Sequence, residues 1–166
     1  MKKVNLLFGC SMAIVFGTVH ADPTAVASKG ETLIVSGSGQ PQVRVRIKTH
    51  EMQIGKPSDE RPAIVETNCT YSRYPCSIVD RIEISVSGKP VFVPRSAFCD
   101  LADLSRADIS VAKDGATLKL AGGDGAESFI VKIDFDAKRV KRRTVEGGES
   151  GGQLSQETIY HAEVFE

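Results

Sequence analysis

The chain has 166 residues, and its 21 basic and 21 acidic side chains give a formal net charge of zero. Hydrophobic residues make up 41% and charged residues 25%, which suits one folded domain with a real core and excludes a disordered polyelectrolyte. Balanced charge also argues against nucleic-acid binding through bulk charge.

The N-terminus begins with Met1-Lys2-Lys3 and continues as a mostly apolar run over residues 4–15. Val19-His20-Ala21 then offers small or neutral residues before Asp22. That is the layout of a bacterial-type secretory signal peptide, residues 1–21, cut after Ala21. The apolar run falls short of the roughly 20 residues a membrane span needs. An uncleaved anchor, and a lipoprotein cut at Cys10 within Leu7-Phe8-Gly9-Cys10, are the alternatives. The expected location is periplasmic or secreted, with no transmembrane segment after cleavage. Loss of Lys2 and Lys3 leaves the mature chain slightly acidic.

Cleavage also removes Cys10 and leaves Cys69, Cys76 and Cys99. An oxidising compartment favours pairing, and three thiols allow three single bridges. Cys69 with Cys76 is the expected bridge, because residues 70–75 read as a compact loop. Closing so short a loop contributes about 2 kcal/mol by chain entropy. Cys99 is then expected as a buried small hydrophobe.

Residues 22–42 read as a polar, partly flexible leader, with Leu33-Ile34-Val35 as a strand candidate. Residues 43–166 read as a single β-rich domain. Val43, Val45 and Ile47 alternate with Arg44, Arg46 and Lys48, so this strand has one apolar and one cationic face. Residues 56–62 are loop by composition, and residues 63–66 form a short strand candidate. Ile82, Ile84 and Val86 alternate up to the turn residues Ser87-Gly88, and Val91-Phe92-Val93 returns as a second strand.

Residues 96–104 are the helix candidate, with Ser96 as cap and Ala97, Leu101 and Leu104 on one face. Asp114-Gly115 predicts a type I′ hairpin pairing Val111 with Leu118 and Ile109 with Leu120. Phe129, Val131, Ile133 and Phe135 form the next apolar face. An even turn at Asp136-Ala137 would pair Ile133 with Val140 and Asp134 with Arg139. It leaves Lys132 opposite Lys141. A last strand, carrying Thr158 and Tyr160 on one face, follows the Gly-rich residues 146–153. The expected fold is all-β and mainly antiparallel: a β-sandwich or partly open barrel of about eight short strands with one short helix.

Motifs that carry chemistry are scarce. His50 and His161 lack metal-site spacing, so no metal and no cofactor is expected. Gly122-Gly123-Asp124-Gly125 lacks the Lys and Ser/Thr of a phosphate loop. No Gly-x-Ser-x-Gly elbow marks a hydrolase. Lys138, Arg139, Lys141, Arg142 and Arg143 form the densest charge cluster. It is either a candidate anion- or partner-binding stripe or a charged edge that blocks strand pairing. By elimination the leading expectation is a non-enzymatic protein-binding module of the inhibitor, immunity or assembly-factor kind, with a protein partner in the cell envelope. A binder of envelope glycan or lipid headgroups, using this stripe or the Cys69–Cys76 loop with Tyr71 and Tyr74, is the second reading. A small secreted hydrolase is the third.

Overall fold

Period-two alternation sorts each strand into an inward and an outward set, and two sheets bury their inward sets against each other. The computed structural model describes residues 19–20, 23–36, 41–55, 69–148 and 153–161. In chain order the strands are β1 (Val19–His20), β2 (Thr24–Ala25), β3 (Gly30–Val35), β4 (Val43–Met52), β5 (Cys76–Val86) and β6 (Lys89–Val91). Then come β7 (Leu104–Ala112), β8 (Gly115–Gly122), β9 (Phe129–Phe135), β10 (Val140–Gly147) and β11 (Leu154–Ile159). One sheet has four strands in the order β3-β4-β5-β6. The other has seven, ordered β1-β7-β8-β9-β10-β11 with β2 also on β7. All strand pairs are antiparallel, so the architecture is a sandwich of two sheets rather than a barrel.

Val45 and Ile47 of the small sheet and Ile109, Leu118 and Ile133 of the large one are fully buried at 0% exposure in one shared core. Burying each such side chain is worth about 1.5–3 kcal/mol. The segment read as a polar leader supplies β2 and β3, where Thr32 and Ile34 point inward. The strand candidate at residues 63–66, the loop at 56–62 and most of the expected signal segment lie outside the described residues. Val19–His20 pairs with Ser110 and Val111 of β7. Among the described residues, no helix is long and apolar enough to cross a membrane.

The helix expected over residues 96–104 is a single 3-10 turn, Arg95–Ala97, preceded by Pro94 with no side-chain cap. Its apolar face was read correctly, since Ala97, Leu101 and Leu104 are buried. The backbone, however, finds partners outside a helix. Val79 donates to the Leu101 carbonyl at 3.0 Å, and Asp103 donates to the Ser77 carbonyl at 2.7 Å. Ile78 bridges Ala102 between them. A two-turn helix is too short to compete with such sheet bonds. Cys99, expected inside, is exposed on the following turn.

Both later hairpins change register; the first keeps its faces, and the second keeps those of β9 but not of β10. In β7–β8 the closing pair is Ala112 with Gly115, so the turn is Lys113-Asp114, and Ile109 meets Leu118. Neither Lys113 nor Asp114 has positive φ, so the turn is not type I′. Gly115 serves another purpose: a Cβ there would lie 2.5 Å from the Phe135 carbonyl oxygen on β9. The slip of one residue per strand preserves inward and outward sets, which is why the pattern alone did not detect it.

In β9–β10, Val140 pairs with Phe135 and Arg142 with Asp134, leaving Lys141 as a bulge. Without the bulge, Arg142, Thr144 and Glu146 would share the inward face with Val140. With it, Arg143 and Val145 turn inward instead. Lys132 then meets Glu146, Nζ to Oε1 at 2.6 Å, and not Lys141.

The expected bridge, Cys69 to Cys76, is present with a Cα separation of 5.7 Å. Asp103 organises both of its ends. Its carboxylate accepts the Thr70 amide at 2.7 Å and the Ser77 amide at 2.8 Å, all three residues being buried. Asp103 holds φ of 49°, a left-handed conformation that Asp tolerates better than most residues. Replacing Asp103 with Ala strands two buried amides and should lower stability by about 2–4 kcal/mol. Asp103→Asn, which retains one acceptor and the backbone tolerance, should lose less. Urea melts of the two variants against wild type provide the check.

Candidate functional site

The five basic residues of the stripe do not act together. Arg143 is only 2% exposed; its Nη2 lies 2.7 Å from Asp100 Oδ2 and its Nη1 donates to Gln156 Oε1 at 2.8 Å. Arg142 spans Asp134 and Glu157, each at 3.2 Å. Lys141 faces Asp136 at 3.4 Å, and Arg139 donates to the Tyr160 carbonyl at 3.3 Å. Lys138 lies in the exposed turn, its amide held by Asp136 Oδ1 at 2.7 Å. Four of the five thus serve neighbouring strands, which leaves little free charge for a ligand. Burial opposes ionisation of Asp136. The amides of Lys138 and Arg139 and the Lys141 ammonium outweigh it and hold the carboxyl below its ordinary 3.8.

A second basic surface is more open. On the small sheet, inward residues of β3, β4 and β5 are buried, and the outward set includes Leu33, Val35, Arg44, Arg46, Lys48, Arg81 and Glu83. Register places Leu33, Arg46 and Glu83 in one row and Val35, Arg44, Ser85 and Pro90 in the next. Arg46 touches Glu31 at 3.0 Å and Glu83 at 3.5 Å, and Arg81 touches Glu83 at 3.2 Å.

This face carries a groove of about 700 Å3. Arg44, Arg46, Arg81 and Arg95 line it, against one carboxylate, Glu83. Its apolar lining includes Leu33 and Phe92, which are 54% and 70% exposed. The groove exists because β6 is short. β5 spans 11 residues, and β6 covers only the last three, pairing Val86 with Lys89 through Ile84 with Val91. Then Phe92 leaves for the other sheet: it donates to the Lys138 carbonyl at 2.8 Å and accepts the Val140 amide at 3.0 Å.

The groove was only partly legible from the chain. Alternation at residues 43–48 revealed the cationic face of β4. The exit of the chain at Phe92 left no local signal, so Phe92, Arg81 and Arg95 were not assigned to a site.

The remaining candidates carry less. Cys69, Cys76 and Asp103 lie close enough to hold a metal, their ligand atoms within 4.8 Å. The disulfide removes both thiolates as ligands, and each Asp103 oxygen already accepts an amide. His50 is exposed with Nδ1 2.7 Å from Asp80 Oδ1. Among the described residues, no hydroxyl or thiol is hydrogen-bonded to its ring, so the pair is not part of an assembled nucleophile site. His161 is exposed just beyond β11. Tyr71 is 60% exposed on the disulfide loop, whose amide at that position donates to Glu127 Oε2 at 2.7 Å.

Arg143→Ala should cost about 3 kcal/mol, because it removes the inward partner of Asp100 and leaves a cavity. Lys138→Ala should stay within about 0.5 kcal/mol of wild type. Equal effects in denaturant melts would contradict the division of the stripe. Asp136→Asn should destabilise at neutral pH. The lowered pKa means the stabilisation is complete above 3.8 and fades as pH falls through the folded value. The gap between variant and wild type in melts should therefore close only below pH 3.8.

The chain matches no protein-family model, no curated protein and no solved structure.

Proposed function

We propose that the protein is a non-enzymatic protein-binding module of the cell envelope, of the inhibitor, immunity or assembly-factor kind. Its docking surface is the outward face of the four-stranded sheet. One observation carries this reading: four arginines surround an exposed phenylalanine and leucine, with a single carboxylate among the groove-lining residues. Arginine and aromatic side chains supply most of the energy at protein interfaces, because each combines apolar area with directed hydrogen bonds. The excess of positive charge fits an acidic partner and would speed its approach.

The signal-like N-terminus supports an exported location, and the disulfide agrees with an oxidising compartment. A glycan site would more often offer stacked aromatics with neutral hydrogen-bonding side chains. The groove instead offers one exposed aromatic ring, Phe92, among guanidinium groups.

The test is affinity capture from envelope extract with wild type and two double variants. Arg44→Glu with Arg95→Glu should reduce capture of an acidic protein at least tenfold. Lys138→Glu with Lys141→Glu should leave capture close to wild type. Capture lost equally in both, or unchanged in both, would overturn the placement of the surface.

A further inference from the structure

We infer that the groove recognises two acidic side chains set on either side of an apolar one, and that Arg44 and Arg95, of its four arginines, receive them. This rests on the reading of that face as a protein-binding surface and names what the partner presents there.

The four guanidinium groups fall into two sets. Arg46 lies 3.0 Å from Glu31 and 3.5 Å from Glu83, and Arg81 lies 3.2 Å from Glu83. These two arginines and two glutamates form one connected cluster whose charges sum to zero. Each contact is exposed and individually weak. The sum still matters. A carboxylate approaching Arg46 or Arg81 meets a glutamate already beside it, and repulsion from that glutamate offsets what the cation offers.

Arg44 and Arg95 differ. Among the described residues, neither side chain has an ion pair or a hydrogen bond. The excess charge of the groove therefore resides on these two residues. Lys48, beyond the cluster on β4, does not line the groove.

Both arginines are fixed at the backbone and free at the tip. Arg44 pairs with Val35 of β3 on one side and with Ser85 of β5 on the other. The Arg95 carbonyl accepts the Phe98 amide at 3.0 Å and the Cys99 amide at 2.8 Å. Such residues give up only side-chain freedom when a partner arrives. They also enter the groove from opposite sides: β4 flanks β5 on one side, and Arg95 follows β6 on the other. The same groove is lined by Phe92, 70% exposed, with Val91 and Phe98 nearly buried beneath the surface. An apolar side chain laid on Phe92 removes that area from water. Carboxylates on either side of it accept charge-assisted hydrogen bonds from the two free guanidinium forks.

The probe is acetyl-Glu-Gly-Phe-Gly-Glu-amide, whose glycines let two carboxylates and one ring find their own spacing. It is titrated into the isotope-labelled full chain and followed by amide chemical shifts. Arg44→Gln and Arg95→Gln should each weaken binding about fivefold. The paired variants Glu31→Gln with Arg46→Gln, and Glu83→Gln with Arg81→Gln, each remove one positive and one negative charge and should stay within about twofold of wild type. Equal losses in both sets would overturn the division of the arginines while leaving the protein-binding face intact. Equal affinity for acetyl-Gln-Gly-Phe-Gly-Gln-amide would overturn recognition through carboxylates. No binding of the parent peptide would overturn the acidic-apolar-acidic assignment. Loss, in addition, of the arginine-dependent capture from envelope extract would overturn the protein-binding face with it.

Discussion

The backbone bonds of Phe92 with Lys138 and Val140 control most of what distinguishes this sandwich. They tie an edge of the small sheet to the start of β10 in the large one, with Phe92 and Arg139 side by side in a parallel bridge. To reach that position the chain must leave β5 after Val91. β6 is consequently only three residues long, and among the described residues no strand continues it along the part of β5 that lines the groove. The same bridge anchors the start of β10 just before its bulge at Lys141. One sheet-to-sheet crossing thus shapes a groove on one layer and the entry of the strand that carries the basic cluster on the other.

The two basic surfaces illustrate how different identical charges become once folded. In β10 and the turn before it, the bulge directs Arg143 inward to Asp100, and Asp134, Asp136 and Glu157 neutralise its neighbours. These pairs hold β9, β10 and β11 in register. On the small sheet, four guanidinium groups line the groove; Glu83 contacts Arg46 and Arg81, and Glu31 also contacts Arg46, so among the described residues Arg44 and Arg95 are left without an ion pair. Free positive charge is therefore concentrated where sequence density did not place it. Linear clustering measures how many charges lie close along the chain. Recognition depends on how many remain unmatched on one surface.

The layered fold was legible because alternation survives almost any change of register. Val43, Val45 and Ile47, and Phe129, Val131, Ile133 and Phe135, read as inward faces, and the structure buries or half-buries every one of them. The disulfide was legible because Cys69 and Cys76 bracket a compact loop. What stayed hidden depended on contacts distant in sequence. The segment around Leu101 becomes extended because Ser77 and Val79 offer backbone partners more than twenty positions away. The register of β7–β8 depends on Gly115 fitting under Phe135, and the inward turn of Arg143 depends on Asp100. The groove depends on Phe92 choosing Lys138 and Val140 over a longer β6. None of these choices leaves a periodic trace.

The central claim is that recognition occurs in the groove beside β6 and not on the charge-dense turn and β10. Amide chemical shifts of the isotope-labelled protein, followed as the captured partner is added, test it most directly. The largest changes should fall on Arg81, Ile82 and Glu83 and on Phe92, Val93 and Arg95. Changes concentrated instead on residues 138–143, with the β5 amides unmoved, would contradict the account.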